Sequence, residues 1–449
     1  MRRNPTILVS FLLLASCVSD PVTGKSRLGL VQWSVEEELE LGRQMAPSIE
    51  AQYDAALVDS EAQDYLRRVV LEMTELSVRK DDFDFTFTIL NSSIPNAFAL
   101  PGGYVYVTRG LLQELESEGQ FVSVMGHELG HVEHQHAMAS QSRGLLLGLP
   151  GRTIATAGGL VLGDSALVNT VAGLAGFAPA LVDMKFDRGQ EIEADARGVY
   201  FADGMGYDPR EGVKTFELFE RLEEQAGAGG LGSLTIFSTH PSNPQRIERM
   251  RDLIAEEYPD VATREASSFR TGDRFTEIVE RLRERAPAYA LYDEGQRLLY
   301  GDDVDEEAME RAVGKMEEAS ELLPDEPVFH VGLGELQLVR EELEDSILHL
   351  VEAMRLYEAH PRLRAHWKPP FYLGLFSLEA GEPEAAVVLL RKSVESLPTH
   401  AVLHLYLGVA YEEVGDTVRA IEAYRFVVDM APRGSEAYDL ARARLKELT

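Results

Sequence analysis

The chain has 449 residues, which exceeds one ordinary hydrophobic core and predicts two or three domains. Apolar residues make up 45% and charged residues 26%, a composition that excludes a largely disordered chain. The 75 acidic and 43 basic residues give a net charge of -32, which argues against nucleic acid as a partner because such a field repels phosphate. We interpret the acidity as a feature of solubility.

The first residues have the features of an export signal. A basic start precedes an apolar stretch over 7–15 that is too short to span a bilayer, and Leu-Ala-Ser then leads to Cys17. This run resembles a bacterial lipoprotein signal, which predicts that 1–16 are removed and that Cys17 is lipidated. Val18 follows in place of aspartate, which favours the outer membrane over the inner one. The alternative is a plain secretory signal with an incidental cysteine.

The next segments alternate between helical and extended patterns. Proline and glycine in 17–32 predict a tether, and Ser34, a good N-cap before three glutamates, predicts the start of a helix. Apolar residues at helical spacing predict a second helix over about 59–78. The further predicted elements are a strand from Phe83 to Ile89, a loop over 91–103, a strand over 104–108, and helices over about 109–141 and 187–225.

Residues 144–182 form an unusually apolar segment, rich in Leu, Ala, Gly and Val. Pro150, Arg152 and Asp164 interrupt it, so that no continuous apolar run reaches about 18 residues. We interpret it as mobile or packed helices beside the active site, and membrane insertion is the alternative.

From about residue 286 the sequence repeats. Three features recur 34 residues apart: Leu373-Gly374 as Leu407-Gly408, Ala386 as Ala420, and Pro398 as Pro432. This is the period and the residue pattern of tetratricopeptide repeats. We therefore predict about four helix pairs and a terminal helix over 286–449, after a linker at 263–285. Such repeats stack into an arc whose concave face suits a protein partner.

The strongest chemical signal is the run from His127 to His131, which has the pattern His-Glu-x-x-His. Histidines four residues apart lie on one helix face, so both imidazoles can reach one ion. Glu128 lies between them and is suited to take a proton from a water on that ion. The pattern predicts a zinc metallopeptidase with one Zn2+ per chain.

A third protein ligand is needed, and the histidines nearby do not supply it. The extended pattern requires a histidine six residues after His131, where this chain has Ala137. His134 has the wrong helix phase. We interpret His134 and His136 as surface groups or as groups behind the metal ligands.

A second helix offers carboxylates instead. Glu191 and Asp195 are four residues apart and share one face, so one of them can bind zinc. The other can orient a ligand histidine or donate a proton to the leaving amine. Glu193 points elsewhere by helix phase and is the competing candidate for the ligand.

His-Glu-x-x-His followed some 60 residues later by Glu-x-x-x-Asp resembles the peptidase family that includes the CAAX prenyl proteases, HtpX and periplasmic BepA. The resemblance covers about 33–262. It implies zinc on His127, His131 and Glu191, with Glu128 as the base. It also implies that Asp195 is the supporting acid.

Two further matches carry functional implications. The segment around Asn-Ala-Phe-Ala and Val-Tyr-Val is similar to the family's edge-strand region, where an extended substrate can pair. The residues implied for substrate pairing are Asn96, Ala97, Phe98, Tyr104 and Val105. In BepA-like proteins a histidine in the context of His240 can approach the zinc, which implies a displaceable fourth ligand that holds the site shut. The alternative is a structural His-Pro turn.

Together these features predict a mainly α fold with a small β-sheet. An α+β zincin of the gluzincin type at 33–262 would precede an α-solenoid of tetratricopeptide repeats. The BepA-like resemblance implies a periplasmic endopeptidase, anchored to the outer membrane by lipid, that hydrolyses misfolded or stalled outer-membrane proteins. The rival function is a chaperone or assembly adaptor with little or no proteolysis.

Overall fold

A computed structural model describes residues 16–24, 26–29, 33–140, 186–226, 240, 244–301 and 304–449. Nearly all of the predicted signal and the whole apolar segment 144–182 lie outside the described residues. Within the described ranges, no helix is both long and apolar enough to cross a membrane.

The strands are β1 (Ser16–Ser19), β2 (Ser26–Gly29), β3 (Thr86–Leu90), β4 (Ala97–Leu100) and β5 (Tyr104–Thr108). The helices of the first half are α1 (Val35–Gln52), α2 (Ser60–Thr74), α3 (Arg109–Glu114), α4 (Glu118–Glu133), α5 (Arg188–Gly204), α6 (Glu211–Ala226) and α7 (Pro244–Glu257). Those of the second half are α8 (Asp273–Leu299), α9 (Glu306–Leu322), α10 (Pro327–Val339), α11 (Leu343–Glu358), α12 (Lys368–Glu379), α13 (Pro383–Ser396), α14 (Ala401–Glu413), α15 (Thr417–Met430) and α16 (Glu436–Leu448).

The predicted tether, 17–32, is in part a hairpin. Strands β1 and β2 pair antiparallel, and the turn between them is fixed by Asp20, whose carboxylate accepts a hydrogen bond from the Thr23 amide at 2.7 Å. Asp20 is buried and also bonds Nδ1 of His134 at 2.7 Å. The segment is therefore held against α4, which the proline and glycine content did not indicate because those residues mark turns as well as free chain.

The start of α1 follows the predicted N-cap. The Ser34 hydroxyl accepts from the Glu37 amide at 3.2 Å, and the Glu37 carboxylate accepts from the Ser34 amide at 2.8 Å. This reciprocal capping box satisfies two amides that the helix leaves unpaired.

A three-stranded sheet lies beneath the helices, in the order β3-β5-β4. β3 runs parallel to β5, and β4 runs antiparallel to it, so β4 is an edge strand. Two predictions were wrong here. The first strand begins at Thr86 and not at Phe83, and β4 lies inside the predicted loop 91–103. Prolines and glycines on both sides of β4 obscured so short a strand.

Four helix pairs and a terminal helix follow in the second half, which confirms the predicted mainly α fold class with its helical repeats. The recurring Leu-Gly position has a packing role, because the glycine lies against the second helix of its pair. A Cβ would lie 2.7–2.8 Å from a side chain of that helix in three pairs: Gly334 against Leu350, Gly374 against Leu390, and Gly408 against Tyr424. Small residues at these positions let the paired helices approach closely.

One continuous helix, α8, crosses the predicted linker and the predicted start of the repeats. Phe275 on its first half packs against Phe121 of α4 with ring centroids 5.8 Å apart, and Tyr289 on its second half packs against Phe329 at 5.1 Å. All four rings belong to one buried apolar cluster. The first half of the chain and the first repeats therefore share a core, and the exact domain boundaries stay a prediction.

We predict that Phe329→Ala lowers the free energy of unfolding by about 3–5 kcal/mol, because it empties a fully buried aromatic position. Denaturant unfolding followed by circular dichroism would measure this. Leu348→Ala is the control, because Leu348 is 68% exposed and its loss should change stability by less than about 0.5 kcal/mol. Equal stability of the two variants would contradict a shared core at Phe329.

Candidate metal centre

Helices α4 and α5 cross at unusually short range because glycines line the crossing. A Cβ on Gly130 would lie 3.0 Å from Cα of Ala194, and one on Gly126 would lie 3.1 Å from Cα of Gly198. A Cβ on Gly198 would lie 2.9 Å from the carbonyl oxygen of Ser123. The contact brings the histidine face of α4 against the carboxylate face of α5.

Four side chains converge at this crossing: His127, His131, Glu191 and His240, each buried. The Nε2 atoms of His127 and His131 are 3.0 Å apart. Nδ1 of His240 lies 3.2 Å from Nε2 of His127 and 3.0 Å from Oε1 of Glu191, which in turn lies 3.6 Å from Nε2 of His131. One potential donor atom from each residue points into the same small volume.

These spacings fit a zinc ion. Zinc binds nitrogen and oxygen at about 2.0–2.2 Å in tetrahedral sites, which places neighbouring ligand atoms about 3.3–3.5 Å apart. The observed separations of 3.0–3.6 Å bracket that value. Two imidazoles and a carboxylate are also a donor set that catalytic zinc sites use.

Asp195 supports this centre from the second helix. Its Oδ1 lies 2.9 Å from Nδ1 of His127, so a neutral His127 with its proton on Nδ1 presents Nε2 to the ion. Arg246 donates to both oxygens of Asp195, at 2.6 and 2.9 Å, and lies 2.7 Å from Oε2 of Glu191. The guanidinium thus holds both acidic side chains in place.

The protonation states suit metal binding. Burial, together with the neighbouring histidines, lowers the pKa of His131 well below its usual value, so the ring is neutral. Burial opposes the charge on Glu191, but His240, His127 and Arg246 outweigh it and lower the pKa of that carboxyl. The pKa of Asp195 is also lowered, since Arg246 and His127 overcome the effect of burial.

Glu128 lies beside the four donors and not among them. Burial raises the pKa of its carboxyl, and Nε2 of His240 is 3.7 Å from Oε1. The backbone amide of Ala99, on the edge strand β4, donates a hydrogen bond to this carboxylate. The carboxylate thus lies next to the donor cluster, and the Ala99 hydrogen bond partly offsets the rise in its pKa.

The structure separates the competing candidates. Glu193 is outside the donor set, and its Oε2 lies 3.2 Å from Nε2 of His136. His134 and His136 are both buried, so their interpretation as surface groups was wrong. A turn at Gln135, whose φ is 54°, ends α4 and redirects His136 towards its own helix.

The predicted substrate edge stays a prediction, and the structure places three of its five residues away from an unpaired strand edge. Tyr104 and Val105 lie on β5, which is paired on both sides and offers no free edge. Asn96 is buried, and its side-chain amide donates to Tyr53 Oη at 3.0 Å, which makes it an anchor for β4. The sequence indicated the strand segments 83–89 and 104–108 but not the order of the strands in the sheet.

Sequence reasoning missed Phe186, which stacks on His131 with centroids 4.0 Å apart at 24°. A lone aromatic before a helix gives no recognisable signal. A cavity of about 40 Å³ borders His127, Glu128 and His240 and is lined on its far side by apolar groups such as Phe216 and Met250. It has room for one or two water molecules and not for a peptide.

A helix-borne His-Glu-x-x-His pair with a glutamate from a second helix defines a metallopeptidase centre. Residues 60–254 match the sequence model of Peptidase family M48. Metallopeptidases of this family are zinc-dependent, and zinc is the cofactor, as the sequence predicted.

The Beta-barrel assembly-enhancing protease of Escherichia coli K12 is 27% identical over 348 residues, covering 75% of this chain and 62% of its own. Mitochondrial metalloendopeptidase OMA1 of Arabidopsis thaliana is 32% identical over 184 residues, covering 41% of this chain and 34% of its own. The chain therefore spans between one third and two thirds of the length of these relatives. The solved structure of the tetratricopeptide protein YrrB aligns with 40% of this chain and 88% of its own at 18% identity, with a TM-score of 0.30.

We predict that the purified chain binds one zinc ion and that His131→Gln loses it. Elemental analysis after gel filtration would measure the stoichiometry. Chelator treatment should lower the melting temperature of the wild type, because an ion bound only by the folded state stabilises it. His404→Gln is the control, since His404 bonds the Pro398 carbonyl in the repeats. Zinc retained by His131→Gln would contradict the site.

Proposed function

We propose that the chain is a zinc endopeptidase in which His127, His131 and Glu191 hold the ion and Glu128 is the catalytic base. The observation that carries the proposal is the position of Glu128, a buried carboxylate of raised pKa directly beside the donor cluster. A structural zinc site needs no base, and its fourth ligand is not expected to be displaceable.

The reaction divides among few residues. Bound zinc lowers the pKa of a water molecule towards about 7 and polarises the scissile carbonyl. Glu128 takes the proton from the attacking water and can return it to the leaving amine. Asp195 keeps the proton of His127 on Nδ1, and Arg246 holds Asp195 and Glu191 at fixed distance.

The substrate is proposed to bind along the edge of β4 that no other described strand covers. Of the residues implied by the family resemblance, Ala97 and Phe98 remain on that edge, and Ala99 joins them because its amide already points to Glu128. An extended peptide added to this edge would pass the metal centre with its backbone hydrogen-bonded. The carbonyl to be cleaved would then lie close to Glu128.

His240 is proposed as a displaceable ligand that keeps the enzyme inactive at rest. Its ring lies between Glu191 and Glu128, with Nδ1 at 3.0 Å from the first carboxylate and Nε2 at 3.7 Å from the second. That position is where an attacking water and a substrate carbonyl have to enter. The small cavity beside it supports a closed resting site.

The proposed setting is the bacterial cell envelope, with misfolded or stalled outer-membrane proteins as substrates. The support is the similarity to the Beta-barrel assembly-enhancing protease of E. coli, whose name describes this setting. The helical repeats are proposed to bind clients or partners, and lipid on Cys17 is proposed as the outer-membrane anchor. Cys17 lies on β1, three residues before Asp20, whose contact with His134 would keep such an anchor near the metal centre.

We predict that the zinc-loaded chain degrades unfolded casein and that Glu128→Gln reduces the rate by about 10²–10⁴-fold, because the base is lost. Gel-based degradation assays with equal zinc content in both proteins would measure this. Glu133→Gln is unsuitable as a control because Glu133 pairs with Arg197, so exposed Glu358→Gln serves instead. Equal rates for Glu128→Gln and wild type would contradict the assignment.

The second candidate function, an assembly adaptor, is favoured by the large share of the chain given to helical repeats. The two candidate functions differ in whether Glu128 is needed in cells. If Glu128→Gln restores normal growth and outer-membrane composition to a strain that lacks the protein, the adaptor role is the main one. If it fails while being folded and zinc-loaded, proteolysis is required.

We predict that His240→Ala increases casein degradation several-fold while the zinc content stays at one per chain, because three protein ligands remain. His400→Ala is the matched control, since His400 is also buried but stacks on Trp367 in the repeats. A rate that is unchanged or lower in His240→Ala would exclude a gating role.

A further inference from the structure

The histidines at the end of α4 form a line of contacts that leads away from the metal centre. Nδ1 of His131 lies 2.9 Å from Nδ1 of His136, and Nε2 of His136 lies 3.2 Å from Oε2 of Glu193. His131 and His136 are buried, whereas the Glu193 side chain is 36% exposed. The line thus runs from the donor cluster to the surface.

The contact between His131 and His136 depends on the turn at Gln135. On a continuous helix, residues five apart differ by about 140° in direction and cannot touch. The left-handed backbone at Gln135, with φ of 54°, ends the helix and folds His136 back. A hydrogen bond from Gln135 Nε2 to Glu38 Oε1 holds this turn. A non-glycine residue in this conformation is uncommon, which indicates that the surroundings impose it.

The hydrogen-bonding roles follow from one requirement. His131 directs Nε2 into the donor cluster, so a neutral ring bound through that atom carries its proton on Nδ1. That proton is donated to Nδ1 of His136, which must then be the unprotonated nitrogen. His136 therefore carries its proton on Nε2 and donates it to Glu193. A single tautomer of each ring satisfies both of these hydrogen bonds.

We propose that His136 is a positioning residue for His131, and that Glu193 fixes the tautomer of His136. The two histidine ligands would then be oriented in different ways. His127 would be oriented by the buried carboxylate of Asp195, which Arg246 neutralises. His131 would be oriented by the neutral imidazole of His136, which contacts the partly exposed carboxylate of Glu193. The inference rests on the proposed role of His131 as a zinc ligand.

A second metal site is the competing interpretation, because donor atoms of His134, His136 and Glu193 lie within 4.8 Å of one another. The ring geometry argues against it. The rings of His134 and His136 are stacked 9° from parallel with centroids 5.2 Å apart, and Nδ1 of His134 is bonded to Asp20. Imidazole lone pairs lie in the ring plane, so stacked rings direct them side by side and not towards a shared ion.

The test is the zinc dissociation constant of the full chain, measured by competition with a chromogenic chelator. We expect His136→Phe to weaken zinc binding by about 10–100-fold, the usual effect of removing a group that orients a ligand. His136→Asn should recover most of the affinity, because its side-chain oxygen can accept the Nδ1 proton of His131. Glu193→Gln should give a smaller loss in the same direction.

His134→Gln is the matched control, because His134 is an equally buried neighbour that bonds Asp20 and not a ligand. Its zinc affinity should equal that of the wild type. The visible spectrum of the Co2+-substituted protein should change in His136→Phe and not in this control. The melting temperature of each metal-free variant separates loss of folding from loss of metal binding. Because Glu193 is at the surface, Glu193→Gln tests the positioning role even if His136→Phe does not fold.

Unchanged affinity in both His136→Phe and Glu193→Gln would overturn the inference while leaving the peptidase proposal intact. Two zinc ions per wild-type chain would also overturn it, because His136 would then be a ligand itself. A wild-type chain that binds no zinc would instead refute the proposed function.

Discussion

The close crossing of α4 and α5 is the constraint on which the metal centre depends. Zinc requires donor atoms a little over 3 Å apart, and these come from residues some 60 positions apart in the chain. Glycine at Gly126, Gly130 and Gly198 removes the side chains that would hold the helices apart. The glycine positions beside the ligands are thus as tightly specified as the ligands, because each ångström of helix separation would move Glu191 away from both histidines.

Bringing these groups together buries negative charge, which a bound divalent cation would offset. Glu128, Glu191 and Asp195 are buried carboxylates, and Arg246 is the guanidinium that contacts two of them. Three negative charges against one positive leave a deficit of two, which is the charge of zinc. Unpaired buried charge is strongly destabilising, so metal binding and folding of this region should be coupled. His240 beside two of the carboxylates adds a further group able to offset negative charge.

The sequence indicated which side chains share a helix face, but it did not indicate where a helix ends or in which order the strands lie. His127, Glu128, His131 and Glu191 followed from helix phase and family resemblance, because a regular helix fixes which residues share a face. Helix phase left two alternatives open for His136, because it assumes a continuous helix and the left-handed turn at Gln135 breaks it. The strand order β3-β5-β4 was equally inaccessible, since alternation identifies strands but does not say which strand lies in the middle.

The repeats and the first half of the chain are connected by buried polar contacts as well as by a shared apolar core. Arg109, in the helix that follows β5, lies over the ring of Tyr289 at 3.4 Å, and Glu326 of the repeats bonds both Tyr289 and Asn91. A solenoid is stabilised by nearest neighbours, and here the first neighbour of the array is the part of the chain that carries the metal centre. Removing 286–449 would cut α8 within its length and expose the core around Phe329. A cellular defect after that deletion could therefore arise from loss of folding as readily as from loss of partner binding. Point substitutions at the metal centre are needed to separate the proposed endopeptidase function from the proposed adaptor function.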